Sequence, residues 1–388
     1  MPILHPLLVL LYVSLFSASS FPQETAEGAL KLNQIQVIGT HNSYHAGLPP
    51  NEAKWLAQKN PKAAAGLDYQ HPALSQQFDS GVRQIELDVY ADVKGGRYAH
   101  PRGPALVAAA GLPPDPDPDP TGLNKPGFKV MHVQDIDQRS TCQPFVSCLK
   151  EVRTWSKAHP GHIPIFILVE TKEGSPKNVK LTEPEPFTPA VFDALDAEIR
   201  SVFPASELIT PDDVRGSYQT LNAAILTAGW PTLDSARGKV IFLLDQRPVT
   251  PIYLEGHPSL RGRILFTNST PGQPDAAFLE RNEGPTEDIT TLVRQGYLIR
   301  ARTDSDTKQA RTNDTAQRDA MMASGAQLLS TDYPANEPAR WPGHYFVSLP
   351  AGADVRCNPV NAPSACARDL PVIGAKGNTP SEETIHLP

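Results

Sequence analysis

A chain of 388 residues with 40% hydrophobic content has room for one large α/β barrel of about 250 residues with insertions, or for two ordinary domains. Its mean hydropathy of −0.32 is that of a globular chain with an apolar core. A net charge of −7 with no polybasic segment argues against nucleic acid as a partner and against electrostatic anchoring to an acidic membrane.

Residues 1–20 carry no charged side chain, Leu7 to Phe16 is apolar, and Ser17-Ala18-Ser19-Ser20 offers small residues for cleavage. This reads as a secretory signal peptide cut near residues 19–21, which implies a secreted or periplasmic protein with no transmembrane segment in its mature chain. The run is too short for a membrane anchor. Residues 34–38 predict a buried strand that ends in Gly39-Thr40 and delivers His41 and Asn42. Residues 46–72 are polar and broken by proline, hence loop with at most one helical turn. Residues 74–80 predict a short helix closed by Gly81. The strand over residues 82–89 alternates: Val82, Gln84, Glu86 and Asp88 share one face, and Arg83, Ile85, Leu87 and Val89 share the other.

Residues 91–127 show neither period and include an Asp-Pro run from 115 to 120, so they read as a long insertion loop. A strand over 128–133 would carry His132. Residues 144–159 form an amphipathic helix pattern. Ile163 to Val169 is almost continuously apolar and ends at Glu170, as in a strand buried on both faces. Helices over 189–203 and 219–229 precede a strand over 239–244 that ends at Asp245. A short strand over 264–266, a helix over 286–295, a strand over 297–301 leading to Arg302, a helix over 313–324, and a strand over 326–329 leading to Tyr333 complete the series. Eight strands with intervening helices, and polar residues at the strands' C-terminal ends, predict a somewhat irregular TIM (β/α)8 barrel with long loop insertions. No Gly-x-Gly-x-x-Gly follows the first strand, which disfavours a doubly wound sheet. The barrel domain is expected over 33–345, with 346–388 as a C-terminal appendage.

The four cysteines fall into close pairs, and Cys142–Cys148 with Cys357–Cys366 is the simplest of three connectivities. Asn268-Ser269-Thr270 and Asn313-Asp314-Thr315 match glycosylation sequons.

The strand ends bring one constellation to one mouth: His41, Asn42, Glu86, Asp88, His132 and Glu170. Three carboxylates and an amide oxygen are hard donors suited to Ca²⁺ or Mg²⁺. Packed together without a cation, the carboxylates would repel and raise one another's pKa. The two histidines remain free for proton transfer. A hard metal, two histidines and no activated thiol or serine point to phosphoryl chemistry.

Gly39-Thr40-His41-Asn42-Ser43-Tyr44, Gly81-Val82-Arg83-Gln84-Ile85-Glu86-Leu87-Asp88, Met131-His132 and Val169-Glu170-Thr171-Lys172 resemble the motifs of the secreted, calcium-dependent phosphatidylinositol-specific phospholipases C of microbial type. The resemblance runs from about residue 33 to 335. It implies Asn42, Glu86, Asp88 and Glu170 as Ca²⁺ ligands, His132 as general acid to the diacylglycerol oxygen, and His41 as stabiliser of the charged transition state. It also implies attack by the inositol 2-hydroxyl, with Glu86 or Glu170 taking its proton, and a cyclic inositol phosphate product. Lys172, Asp245, Arg302 and Tyr333 stand at strand ends suited to headgroup contact. Relatives that take polyphosphorylated inositides present lysines at the end of the fifth strand, where this chain reads Leu243-Leu244-Asp245-Gln246; unphosphorylated phosphatidylinositol is therefore the expected substrate.

The competing readings are a glycerophosphodiester phosphodiesterase, whose first strand carries His-Arg-Gly rather than His41-Asn42-Ser43, and a non-catalytic headgroup-binding module. A monomer acting at a membrane or micelle surface is expected, with Leu106 to Leu112 as a candidate apolar loop tip. His45 and His100 read as loop histidines.

Overall fold

The computed structural model describes residues 29–116, 119–175, 179–366 and 370. The proposed signal peptide and part of the Asp-Pro run lie outside them.

Ten strands are found among the described residues: β1 (Ile35–Thr40), β2 (Gln84–Tyr90), β3 (Lys129–Val130), β4 (Ile165–Thr171), β5 (Val240–Leu244), β6 (Leu265–Thr267), β7 (Phe278–Glu280), β8 (Leu298–Arg302), β9 (Leu328–Thr331) and β10 (Arg356–Cys357). Eight run in the order β6-β5-β4-β2-β1-β9-β8-β7, with every neighbouring pair parallel. A parallel bridge between Asn268 and Phe278 joins the two edges and nearly closes the cylinder. Helices such as Phe145–Ala158, Pro189–Val202, Thr286–Gln295 and Ala316–Ser324 alternate with the strands. This is a TIM-like barrel.

The residues explain the layers. β4 is apolar from Ile165 to Val169, and all five side chains are buried because one face lines the barrel and the other meets helices. β2 alternates as its sequence predicts. Ile85, Leu87 and Val89 join the main core. Arg83, on that outer face, lies 5.1 Å over the Trp155 ring and pairs with Asp354. Glu86 and Asp88 turn inward. The helix Phe145–Ala158 buries Cys148, Leu149, Val152 and Trp155 at helical spacing. The helices Thr286–Gln295 and Ala316–Ser324 both stop at a glycine in the left-handed region, Gly296 (φ 103°) and Gly325 (φ 88°).

The structure differs from the sequence reading in four places. Residues 128–133 do not supply a barrel strand: only Lys129 and Val130 are extended, antiparallel to the end of β2. The missing barrel strand is β7, whose three residues are too short for alternation to register. Residues 46–72 contain two helices, Pro50–Lys59 and Pro61–Gly66, each opened by a proline already fixed near helical φ. The 91–127 loop contains the helix Gly103–Ala109. Its Leu106 and Leu112 pack half-buried against Trp55, Leu56 and Val107 rather than forming a free apolar tip.

Past residue 345, β10 pairs antiparallel with the start of β1 (Ile35 with Cys357, Gln36 with Arg356). Both expected disulfides are formed, Cys142–Cys148 with Cα atoms 5.2 Å apart and Cys357–Cys366 with 6.0 Å. No helix among the described residues is long and apolar enough to cross a membrane.

Asn268, part of a sequon, is buried (6% exposed) and works as the latch of the barrel seam. Its Nδ2 donates to the Asp245 carbonyl at 2.7 Å, and its Oδ1 accepts from the Glu280 amide at 3.1 Å. Replacement by alanine strands both backbone groups. Asn268→Ala is expected to lower stability by about 1–3 kcal/mol, read from urea unfolding followed by circular dichroism.

Candidate active site

Glu86 and Asp88 point into the barrel mouth from β2, and the parallel register sets Asp88 beside Glu170 of β4. Oxygens of Glu86, Asp88 and Glu170 lie within 4.8 Å of one another. Two cationic side chains hold this cluster together. Lys172 Nζ sits 2.8 Å from Asp88 Oδ2 and 2.7 Å from Glu170 Oε1. Arg300 of β8 pairs with Glu86 through Nη2 and with Glu280 of β7 through Nη1, the latter at 2.8 Å.

Burial pushes Glu86 up to about 7, although Arg300 pulls the other way. Burial and the neighbouring Glu170 charge raise Asp88 well above the usual carboxylate range, against the pull of Lys172. Glu170 faces the same burial, but Lys172 outweighs it and holds this carboxyl below its ordinary value. Lys172 approaches Asp88 off the direction of a good hydrogen bond, so neither Asp88 oxygen accepts one. A fully buried carboxylate with both oxygens unbonded is what a hard cation's ligand looks like before the ion arrives.

Asn42 is buried at the end of β1. Its backbone is left-handed (φ 46°), a conformation asparagine tolerates. Nδ2 donates to the Tyr69 hydroxyl at 2.8 Å, which leaves Oδ1 with only a long contact from the Tyr44 hydroxyl, 3.5 Å.

Each predicted catalytic histidine is backed by a buried carboxylate. His41 Nδ1 lies 2.8 Å from Asp332 Oδ1, so Nε2 is the free nitrogen, 3.7 Å from Glu86 Oε1. Burial, with Arg302 and Arg300 adding to it, lowers the His41 pKa well below its ordinary value. His132 Nδ1 lies 2.8 Å from Asp137 Oδ2. The other Asp137 oxygen lies 2.9 Å from Nε2 of the fully buried His45, whose Nδ1 faces the Tyr69 carbonyl at 3.1 Å. Both partners of His45 are acceptors, so this ring carries two protons. Burial opposes its charge, and Asp137 outweighs burial and raises its pKa. Burial likewise opposes ionisation of Asp137, yet the two histidines hold its pKa below the usual carboxylate range. His45 thus has a place that sequence reasoning did not assign.

The headgroup candidates divide. Lys172 bridges two carboxylates rather than standing free. Asp245 lies against Glu280; burial first, then that second carboxylate, raises its pKa well above the ordinary range. Arg302 donates through Nε to the Asp304 carbonyl at 3.0 Å and reaches Asp332 with Nη2 at 3.3 Å. Tyr333 is a correction: it is buried (5% exposed), with its ring edge-on to Tyr345 at 6.1 Å and to Trp341 at 6.2 Å. Side chains alternate past β9, so Asp332 takes the inward position and Tyr333 the outward one. Asp332, Asp137, His45, Arg300 and Glu280 were missed. For Arg300 a signal existed, since it shares the inward face of its strand with Arg302.

Residues 30–359 match the family model of the calcium-dependent phosphoinositide phospholipases C. The chain belongs to this family. It is accordingly a phosphoric diester hydrolase of a Ca²⁺-dependent class. In fold it is similar to a calcium-dependent phosphoinositol-specific phospholipase C from a Gram-negative bacterium, Pseudomonas sp, with TM-score 0.51 and 17% identity, over 84% of this chain and 95% of that one. It is also similar in fold to the Ca²⁺-dependent phosphatidylinositol-specific phospholipase C of Streptomyces antibioticus, with TM-score 0.50 and 19% identity, over 78% of this chain and 95% of the other. No curated protein sequence matches it. The oxygen-only donor set at the phospholipase's barrel mouth fits a hard divalent ion.

If Asp137 fixes the His132 tautomer, Asp137→Asn should lower kcat by about 10²–10⁴-fold with little change in KM, measured on phosphatidylinositol at saturating Ca²⁺.

Proposed function

We propose that this phospholipase C cleaves unphosphorylated phosphatidylinositol to diacylglycerol and inositol 1,2-cyclic phosphate. The observation that carries this reading is the pair of histidines, each oriented by a buried carboxylate, beside the cluster of Glu86, Asp88 and Glu170. Asn42, Glu86, Asp88 and Glu170 would hold Ca²⁺. When bound, the ion supplies charge neutralisation at the phosphate and acidification of the attacking hydroxyl.

The chain's own groups do the rest. The inositol 2-hydroxyl oxygen bonds to phosphorus while the bond from phosphorus to the glycerol oxygen breaks. Glu86 or Glu170, carboxyl groups of the same cluster, would take the hydroxyl proton. His132 donates Nδ1–H to Asp137, and in its doubly protonated form it would give its Nε2 proton to the departing glycerol oxygen. Negative charge on the bound phosphate favours a second proton on His41, and in that form the ring, fixed by Asp332 through Nδ1, would donate from Nε2 toward the equatorial phosphate oxygens, with Arg302 adding positive charge nearby.

The substrate preference is supported by the acidic wall that Asp245 and Glu280 form past β5 and β7. A 4- or 5-phosphate would meet two carboxyl groups there, whereas a hydroxyl can hydrogen-bond to them. Secretion is supported by the two disulfides, which persist in oxidising compartments.

Phosphorus NMR of a reaction on phosphatidylinositol should show a cyclic phosphodiester, and chelating Ca²⁺ should reduce turnover by at least about 10²-fold, restored by added Ca²⁺. A glycerol phosphate or phosphatidic acid product would contradict the reading. Faster turnover of the 4,5-bisphosphate than of phosphatidylinositol would contradict the substrate assignment.

A further inference from the structure

Asn42 differs in kind from the three carboxylates proposed as ligands with it. A carboxylate offers two equivalent oxygens, whereas an amide offers one oxygen and one NH₂ group, and only the oxygen can bind a cation. The Tyr44 hydroxyl neighbours both Asn42 and Asp88. It lies 3.5 Å from Asn42 Oδ1, and burial first, then the Asp88 charge, raises its pKa well above the ordinary value. Asp88 is fully buried with neither oxygen hydrogen-bonded. A buried carboxyl group without partners attracts an N–H donor, so the ion-free cluster favours the wrong face of the Asn42 amide. The Asn42 backbone is fixed in the left-handed region (φ 46°), and rotation of the side chain decides which atom the ion meets.

Tyr69 opposes that rotation. Its hydroxyl accepts from Asn42 Nδ2 at 2.8 Å and is brought there from outside the barrel, by the segment that follows the helix Pro61–Gly66. Three bonds fasten this segment to the turn after β1. The His71 amide donates to the His45 carbonyl at 2.8 Å, His71 Nε2 lies 3.0 Å from the His41 carbonyl, and the Tyr69 carbonyl faces His45 Nδ1 at 3.1 Å. The Tyr69 ring packs on the His45 ring with centroids 4.7 Å apart. We propose that Tyr69 is a positioning residue for calcium, whose hydroxyl claims the NH₂ group of Asn42 and so turns the amide oxygen to the ion. This rests on the assignment of Asn42 as a ligand above. Groups that bind an ion are oriented by partners that do not touch it, and loss of such a partner costs about 10–100-fold in affinity.

Tyr69→Phe removes the hydroxyl alone and keeps both the ring on His45 and the carbonyl that His45 uses. Calorimetric titration should show Ca²⁺ bound about 10–100-fold more weakly by Tyr69→Phe than by the wild type. The stoichiometry of the same titration reports the folded fraction, so the affinity is that of folded chains. The deciding pair carries Asn42→Asp. A carboxylate presents an oxygen whichever way it turns, so Asn42→Asp with and without Tyr69→Phe should bind Ca²⁺ within about twofold of each other. Equal affinity in the wild type and Tyr69→Phe would overturn the proposal. The same loss in both backgrounds would also overturn it, by making the hydroxyl a general support of the loop rather than the group that orients the amide. Asn42→Ala, titrated alongside, separates the two levels. Wild-type affinity in Asn42→Ala would take Asn42 out of the ion site and remove the assignment beneath the proposal, whereas a loss there with none in Tyr69→Phe would refute the proposal alone.

Discussion

The structure turns on the burial of Glu86, Asp88 and Glu170 within 4.8 Å of one another. Taking such charges out of water costs several kcal/mol per ion unless they are compensated, so each must be protonated, paired or bound to a cation. The parallel register of β2 and β4 makes the proximity unavoidable by setting Asp88 and Glu170 side by side. Lys172 and Arg300 supply the compensation here. Neither completes it, because Asp88 keeps two oxygens without hydrogen bonds. A divalent ion satisfies three carboxylates more fully than an off-axis ammonium, which gives the family's calcium dependence a physical basis in this chain.

The histidines follow from the same geometry. His41 leaves β1 beside Asn42, so one turn presents a nitrogen and an amide oxygen in two directions. Tyr69 ties the two ends of this arrangement: its hydroxyl accepts from Asn42, and its carbonyl fixes His45, which holds Asp137 under His132. Each histidine presents Nε2 because a buried carboxylate has claimed Nδ1.

Much of this was legible in the chain. The alternation of Arg83 to Val89 put both β2 carboxylates on one face, and the apolar run before Glu170 marked a strand buried on both sides. What was hidden has physical causes. β7 is three residues long, too short for a period. His132 is not carried by a barrel strand: it follows a two-residue antiparallel strand, precedes the turn closed by the Val133–Asp137 bridge, and is held by Asp137. Asp332 and Tyr333 were adjacent candidates, and only the pleat decides which one turns inward. Asp137, His45 and Glu280 act through distant partners: His45 and Asp137 are 92 residues apart and meet between loops, and Arg300 and Glu280 are 20 residues apart and meet only through the parallel register of β7 and β8.

The central claim is that the buried carboxylate cluster is a calcium site for which Lys172 is an incomplete substitute. Calorimetric titration of Ca²⁺ into the wild type and into Asp88→Asn tests it most directly. The account predicts one ion bound per wild-type chain and an affinity at least about 10–100-fold weaker in the variant, whose fold is retained. Equal affinity in the two proteins would place the ion elsewhere and contradict it.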